Sequence, residues 1–189
     1  IAGMAFPAQL VIAKIARADQ SIDVRDEAEA IRWAVDAGAR VINLSIGGLR
    51  DPFNPRRDTF SRVEASAINY AVSRGAVLVA AVGNSDDAPQ SPWPFASYPA
   101  ALPHVIGVSA LSPTGNVPQF SNRDRIYNDI SAPGQEIYST LPRALTSSRP
   151  LCQNQGYSDC GPDEFRHANF LTNDLDAIKL KGNFFLGNH

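Results

Sequence analysis

Three apolar runs constrain this chain more than any other feature: Arg40–Ile46 (RVINLSI), Ala76–Val82 (AVLVAAV) and His104–Leu111 (HVIGVSAL). Each is short, and each is bracketed by Gly or Pro, so each predicts a strand rather than a buried helix. The runs are apolar almost throughout instead of alternating with polar residues, which predicts burial on both faces of a sheet. An amphipathic stretch over Phe60–Gly75 separates the first two, and another over Asp26–Ala39 precedes them. Strand and helix taking turns, with continuously apolar strands, point to an α/β protein: a parallel sheet flanked by helices on both faces. A further apolar run after Pro7, Gln9–Ile15 (QLVIAKI), predicts one more buried strand ahead of the first helix.

The helices carry their own punctuation. Asp23 or Asp26 is placed to cap the first, and Gly38 to end it. Ala30, Ile31, Ala34 and Val35 are expected to share its buried face, with Trp33 on a flank. In the second, Val63, Ala67, Tyr70 and Ala71 line one side, and Gly75 marks the stop. The stretch to Thr59, with Pro52 and Pro55, reads as loop, and so does the proline-rich connection with Pro89, Pro92, Pro94 and Pro99. Short strands are expected around Ile130 and at Ile137-Tyr138.

Composition narrows the function classes. With 44% hydrophobic and 19% charged residues among 189, the chain has the makeup of one soluble globular domain. A net charge of -2 with scattered basic residues argues against nucleic-acid binding and against an anionic-membrane patch. No uninterrupted apolar stretch reaches the roughly 18 residues of a membrane span. The first residue is Ile and no signal peptide is visible, so the chain is expected to be cut from something longer.

Near Asn169 the composition shifts. All fourteen Arg lie before that point, whereas two of the three Lys, Lys179 and Lys181, lie after it. The last 21 residues hold four Asn and three Phe but no Pro. Residues 1–168 are therefore taken as one domain and 169–189 as a tail of different origin. Cys152 and Cys160 flank a polar loop containing Gly156. A short disulfide-closed loop between them is expected and would suit an exported protein, with two free thiols as the alternative, and the spacing fits no usual zinc pattern.

The segment LVAAVGNSD (Leu78–Asp86) ends a buried run abruptly in Gly83-Asn84. A polar amide there is either a turn residue, since Gly-Asn accepts unusual backbone angles, or a hydrogen-bond donor aimed at a reacting atom. Ligands of open parallel sheets bind beyond the carboxyl ends of the strands. Taken in order, VINLSIGG (Val41–Gly48), LVAAVGNSD, ASYPAALPHVIGVSAL, FSNR and DISAPGQEIYSTLP resemble the subtilisin-like serine peptidases over roughly residues 1–142, with an extension toward Ala168.

The resemblance implies a truncated three-layer sandwich and an extracytoplasmic protein. It assigns Asn84 as the side-chain donor to the oxyanion of a tetrahedral intermediate. A subtilisin is the standard example of this role, and loss of its donor costs ~10²–10³ in rate. It also assigns Ser45, Ile46 and Gly47 to the substrate-binding strand, where an extended peptide pairs by β-augmentation. Peptides or esters are the implied substrates. No cofactor is required; calcium is used by many relatives, but the acid pairs Asp86-Asp87 and Asp163-Glu164 lack a recognisable ligand pattern.

The family's Asp and His motifs fall ahead of GMAFPAQLVIAKI, and its serine motif is expected after Ala168, where this sequence reads Asn169-Phe170-Leu171-Thr172. Thr172 occupies the nucleophile position on an ungapped register. Together with Asp174 and Leu175, however, it reads better as a helix cap, with Leu171, Leu175 and Ile178 as a docking stripe and Gly182 as the stop. Candidate nucleophiles are then Thr172, Ser85 and Ser45, with His167 as base. His104 reads as structural and His189 as a frayed terminus. The expectation is a relative of the serine hydrolases that at most cleaves activated or short-chain esters. Its rival is an inactive module that binds a partner or associates with itself through an exposed sheet edge.

Overall fold

A computed structural model describes residues 5, 7–17, 21–85 and 88–135. The elements are α1 (Val24–Asp36), β1 (Val41–Leu44), α2 (Arg62–Ser73), β2 (Val77–Ala81), β3 (Val105–Leu111) and β4 (Ile130–Pro133). The strands form one parallel sheet in the order β1-β2-β3-β4. The chain is thus α/β with a parallel sheet, as the alternation of strand and helix implies. α2 is the crossover between β1 and β2, whereas β2 to β3 and β3 to β4 are joined by loops.

Local chemistry sets the helix bounds. Asp23 caps α1 by accepting from Arg25 N–H at 2.9 Å, and Ser61 caps α2 by accepting from Glu64 N–H at 3.3 Å. Both helices end one residue before a residue that leads into a glycine at positive φ, Gly38 at +94° and Gly75 at +79°.

Buried faces are where structure and sequence part company. In α1 the buried set is Glu27, Ala28, Ile31 and Ala34, with Ala30 and Val35 only half-buried and Trp33 exposed. In α2 it is Glu64, Ala67, Ile68 and Ala71, while Val63 is exposed and Tyr70 half-buried. Ranking residues by hydrophobicity puts Val63 inside. Instead the alanines face inward and let α1 and α2 pack closely, so the burial phase follows size rather than apolarity. Ile31, Ile68 and Leu78 are almost wholly buried between the helices and the sheet. Each such side chain contributes about 1.5–3 kcal/mol by leaving water.

Two expectations are corrected. Gln9–Ile15 is not a buried strand: it has no regular structure, and Leu10 and Ile12 are 82% and 71% exposed. The side of β1 away from β2 therefore carries no strand among the described residues. Nor are the strands buried on both faces. Ile42, Leu44, Leu78 and Ala80 face the helices, while Val41 and Val77, and Ile106 on β3, are exposed on alternate positions. Both described helices belong to the one core, so helices on both faces are met on one face only among the described residues. The strand near Ile130 is β4; Ile137-Tyr138, Cys152, Cys160 and the 169–189 tail lie outside the described residues.

Candidate active site

The carboxyl ends of β1 and β2 lie side by side, since Leu44 pairs with Ala80. Beyond β1 come Ser45, Ile46, Gly47 and Gly48; beyond β2 come Val82, Gly83 and Asn84. One short segment, Ser97-Tyr98, stitches the two together. Ser97 N–H donates to Val82 C=O at 2.8 Å, and Tyr98 forms an antiparallel bridge to Gly48. Gly47 lies close enough that a Cβ there would come within 3.0 Å of Tyr98 C=O. Ile46 packs against the core, and Ser45 Oγ accepts from Asn43 Nδ2 at 2.9 Å.

A second tie runs from the FSNR segment. Asn122 is 1% exposed and fully used. Its Nδ2 donates to Val82 C=O at 3.0 Å and to Ser97 Oγ at 3.3 Å, and its Oδ1 accepts from Ser85 Oγ at 3.3 Å. Asn122 N–H donates to Gly83 C=O at 2.9 Å, and Asn84 bridges Ser121. Ser85 is equally committed: its hydroxyl accepts from Trp93 N–H at 3.0 Å and sits 3.2 Å from Phe120 C=O. These contacts hold Ser85 in the framework: one lone pair accepts from Trp93, and its one proton is shared between Phe120 C=O and Asn122 Oδ1.

Asn84 stands apart from these neighbours. It is 5% exposed, yet neither Nδ2 nor Oδ1 has a hydrogen-bond partner among the described residues. Leaving a buried amide unpaired costs about 1–3 kcal/mol, and native structures pair nearly all such groups. Asn122, a few ångströms of backbone away, shows that the same residue type is readily satisfied in this framework.

The outer wall is held by charge. Arg50 reaches Asp124 at 3.0 Å and stacks over the rings of Phe95 and Tyr127. Asp124 also accepts from the N–H groups of Ala96, Ile126 and Tyr127. Burial pushes its carboxyl up, but those backbone donors and Arg50 outweigh it and hold it below the ordinary value.

A sequence model of the subtilase family matches residues 1–160. The chain belongs to the subtilase family. Over 141 residues this subtilase is 34% identical to the thermophilic serine proteinase of Bacillus sp. (strain AK1), covering 75% of the chain and 31% of that protein. It is 32% identical over 148 residues to thermitase of Thermoactinomyces vulgaris, covering 78% of the chain and 47% of that protein. Among solved structures, the protease domain of PatA matches with a TM-score of 0.50 and 32% identity, over 61% of this chain and 39% of that one. The subtilase thus spans about a third to a half of the length of the proteins it matches.

Of the residues singled out in the sequence, the structure brings Ser45, Ile46, Gly47, Asn84 and Ser85 to one end of the sheet. Thr172 and His167 lie outside the described residues, as do both acid pairs. His104 is exposed at the start of β3 with φ +70°, a backbone position and not a site. The bracing roles of Asn122 and Ser97 were not anticipated. FSNR was visible as a motif, but nothing in a linear sequence tells which backbone groups its amide meets.

Proposed function

We propose that this subtilase segment works as the transition-state-binding part of a serine hydrolase. In that reading it hydrolyses activated or short-chain esters. The observation that carries it is the orphaned carboxamide of Asn84. A neutral donor with no partner among the described residues is free to hydrogen-bond a substrate oxygen once one reaches it. Such a donor favours the more highly charged transition state over the ground state. Ser45–Gly47 supply an adjoining strand end on which an extended acyl group or peptide lies.

Amide hydrolysis needs a positioned nucleophile, base and orienting acid acting as a unit. An activated ester needs far less help, and Thr172 with His167 is the remaining hydroxyl and imidazole pair to test. The experiment is fluorophosphonate labelling of the purified chain, with the adduct mapped by mass spectrometry and p-nitrophenyl acetate turnover followed in parallel. An adduct on Thr172 or Ser45, together with turnover lost in Asn84→Ala, supports the reading. No adduct and no turnover above buffer rejects it. We place the protein outside the cytoplasm by the same family reasoning.

A second reading is favoured by Leu10 and Ile12, exposed at 82% and 71%, and by the edge of β1, which carries no further strand among the described residues. Exposed edges and apolar surface seek partners, and a second copy of this chain is the simplest one. Light scattering across a concentration series, repeated with Leu10→Asp and Ile12→Asp together, separates a self-associating module from a monomer.

A further inference from the structure

Glu27 and Glu64 take no part in the site above. They are 7% and 3% exposed, and each lies in the first turn of a helix that packs against the other's helix. Both are buried where α1 packs on α2, close enough for each carboxyl to act on the other's protonation. Two ionised carboxylates offer only acceptors, so they can hydrogen-bond each other only if one holds a proton. Glu27 Oε1 is buried with no hydrogen-bond partner among the described residues.

Among the described residues no cation compensates the pair. On α1, Arg25 and Glu29 are exposed, Arg32 donates to Ser66 Oγ and stacks on Tyr70, Asp26 pairs with Arg17, and Asp36 accepts from Tyr70. On α2, Arg62 is exposed and Arg74 stacks on Tyr70. In the segment before α1, Arg17 is taken by Asp23 and Asp26, and Lys14 lines a shallow cleft of about 420 Å³ with Asp26, Glu29 and Trp33. β1, β2 and β3 contain no titratable side chain at all.

We propose that Glu27 and Glu64 form a proton-dependent latch between α1 and α2. One shared proton closes the contact. Its loss leaves two carboxylates facing each other inside the interface and drives the first turns apart. α2 is the crossover from β1 to β2, so its first turn follows directly on the loop leaving the carboxyl end of β1. The latch therefore sits toward the end of the sheet that carries Ser45–Gly47 and Asn84, and it holds whether or not that end is catalytic.

Burial, then the charge and hydrogen bond of Glu64, push Glu27 from 4.5 up to about 8. Burial likewise raises Glu64. Between 4.5 and about 8 the folded chain holds more protons than the unfolded one. Stability therefore falls as pH rises through that window and levels off above it.

The test uses the full chain. Carboxyl ¹³C NMR of Glu-labelled wild-type protein is expected to show one coupled pair still protonated at about pH 7 and titrating well above the ordinary glutamate range. Thermal unfolding from about pH 5 to about pH 9 is expected to lower the wild-type midpoint, while Glu27→Gln, which keeps the hydrogen bond but cannot ionise, flattens the slope. Glu29→Gln, exposed on the same helix, is expected to keep the wild-type slope. Every glutamate titrating in the ordinary range overturns the proposal, as does a Glu27→Gln profile parallel to wild type. If Glu27→Gln does not fold, the wild-type titration decides alone.

Discussion

Gly48 and Tyr98 exchange both backbone hydrogen bonds, each N–H donating to the other's carbonyl at 2.9 Å. Ser97, one residue earlier, donates to Val82. Two consecutive residues of one loop thus clamp the segments leaving β1 and β2. The spacing between the substrate-strand candidate and Asn84 is set by this clamp more than by the sheet, whose ladder between these strands stops at Leu44 and Ala80.

The Gly48 side of the clamp leaves no room for a side chain. A Cβ there would overlap Thr59 Oγ1 and lie 3.1 Å from Thr59 Cβ. Gly48→Ala is expected to cost about 1–3 kcal/mol in urea denaturation. Because Thr59 Oγ1 is the obstacle, the double variant Gly48→Ala/Thr59→Ala is expected to recover part of that loss, a coupling that a double-mutant cycle reads directly.

Gly83 faces a harder constraint. Its φ is +93°, and a Cβ would overlap Ser97 Oγ and approach Asn122 Nδ2 to 2.8 Å. Gly38 has a near-identical φ of +94° with nothing within 4 Å. Gly38→Ala therefore isolates the backbone penalty, about 1 kcal/mol. Gly83→Ala adds overpacking, and a total loss of about 2–4 kcal/mol is expected. Equal losses in the two variants would show that the crowding around Ser97 relaxes freely.

The two asparagines of the site are expected to respond oppositely. Asn122→Ala strands the partners of a fully bonded amide, with an expected loss of about 2–4 kcal/mol. Asn84→Ala removes a carboxamide that has no partner to strand. Its midpoint in denaturant is expected to be unchanged or higher, while any ester turnover falls ~10²-fold or more. A large stability loss in Asn84→Ala would assign that residue to the framework instead.

Asp124 governs the acid side of the stability profile. Its folded carboxyl titrates below the ordinary 3.8 because backbone donors and Arg50 outweigh burial. The unfolded chain therefore binds the proton first as pH falls. The stabilisation is complete above the unfolded value and is lost as pH drops through the lower folded one. Asp124→Asn is expected to destabilise the protein near neutral pH and to flatten unfolding curves measured between about pH 4 and about pH 2.

Much of the architecture was legible in the linear sequence. β1, β2, β3 and both helices fall within a few residues of the runs that announce them, because strand and helix periodicities and Gly stops are local properties. Gln9–Ile15 failed for a complementary reason. Apolar content marks what a strand needs, but pairing with a neighbour decides whether one forms, and that segment meets none among the described residues. The pair Glu27 and Glu64 did leave a trace: Glu27 lies in phase with Ile31 and Ala34, and Glu64 with Ala67, Ile68 and Ala71. An acid in step with a buried stripe is easily taken for its polar edge.

By itself the sequence determined the fold class, the family and the position of Asn84 at a strand end, since motif order and hydrophobic period are written along one dimension. Only the tertiary structure decided that Asn84 is left unpaired while Asn122 is saturated, that Ser85 is a brace, and that two glutamates share an interface. Those outcomes depend on which polar atoms from distant segments come within about 3 Å of one another, and close packing settles that only after the chain has closed on itself.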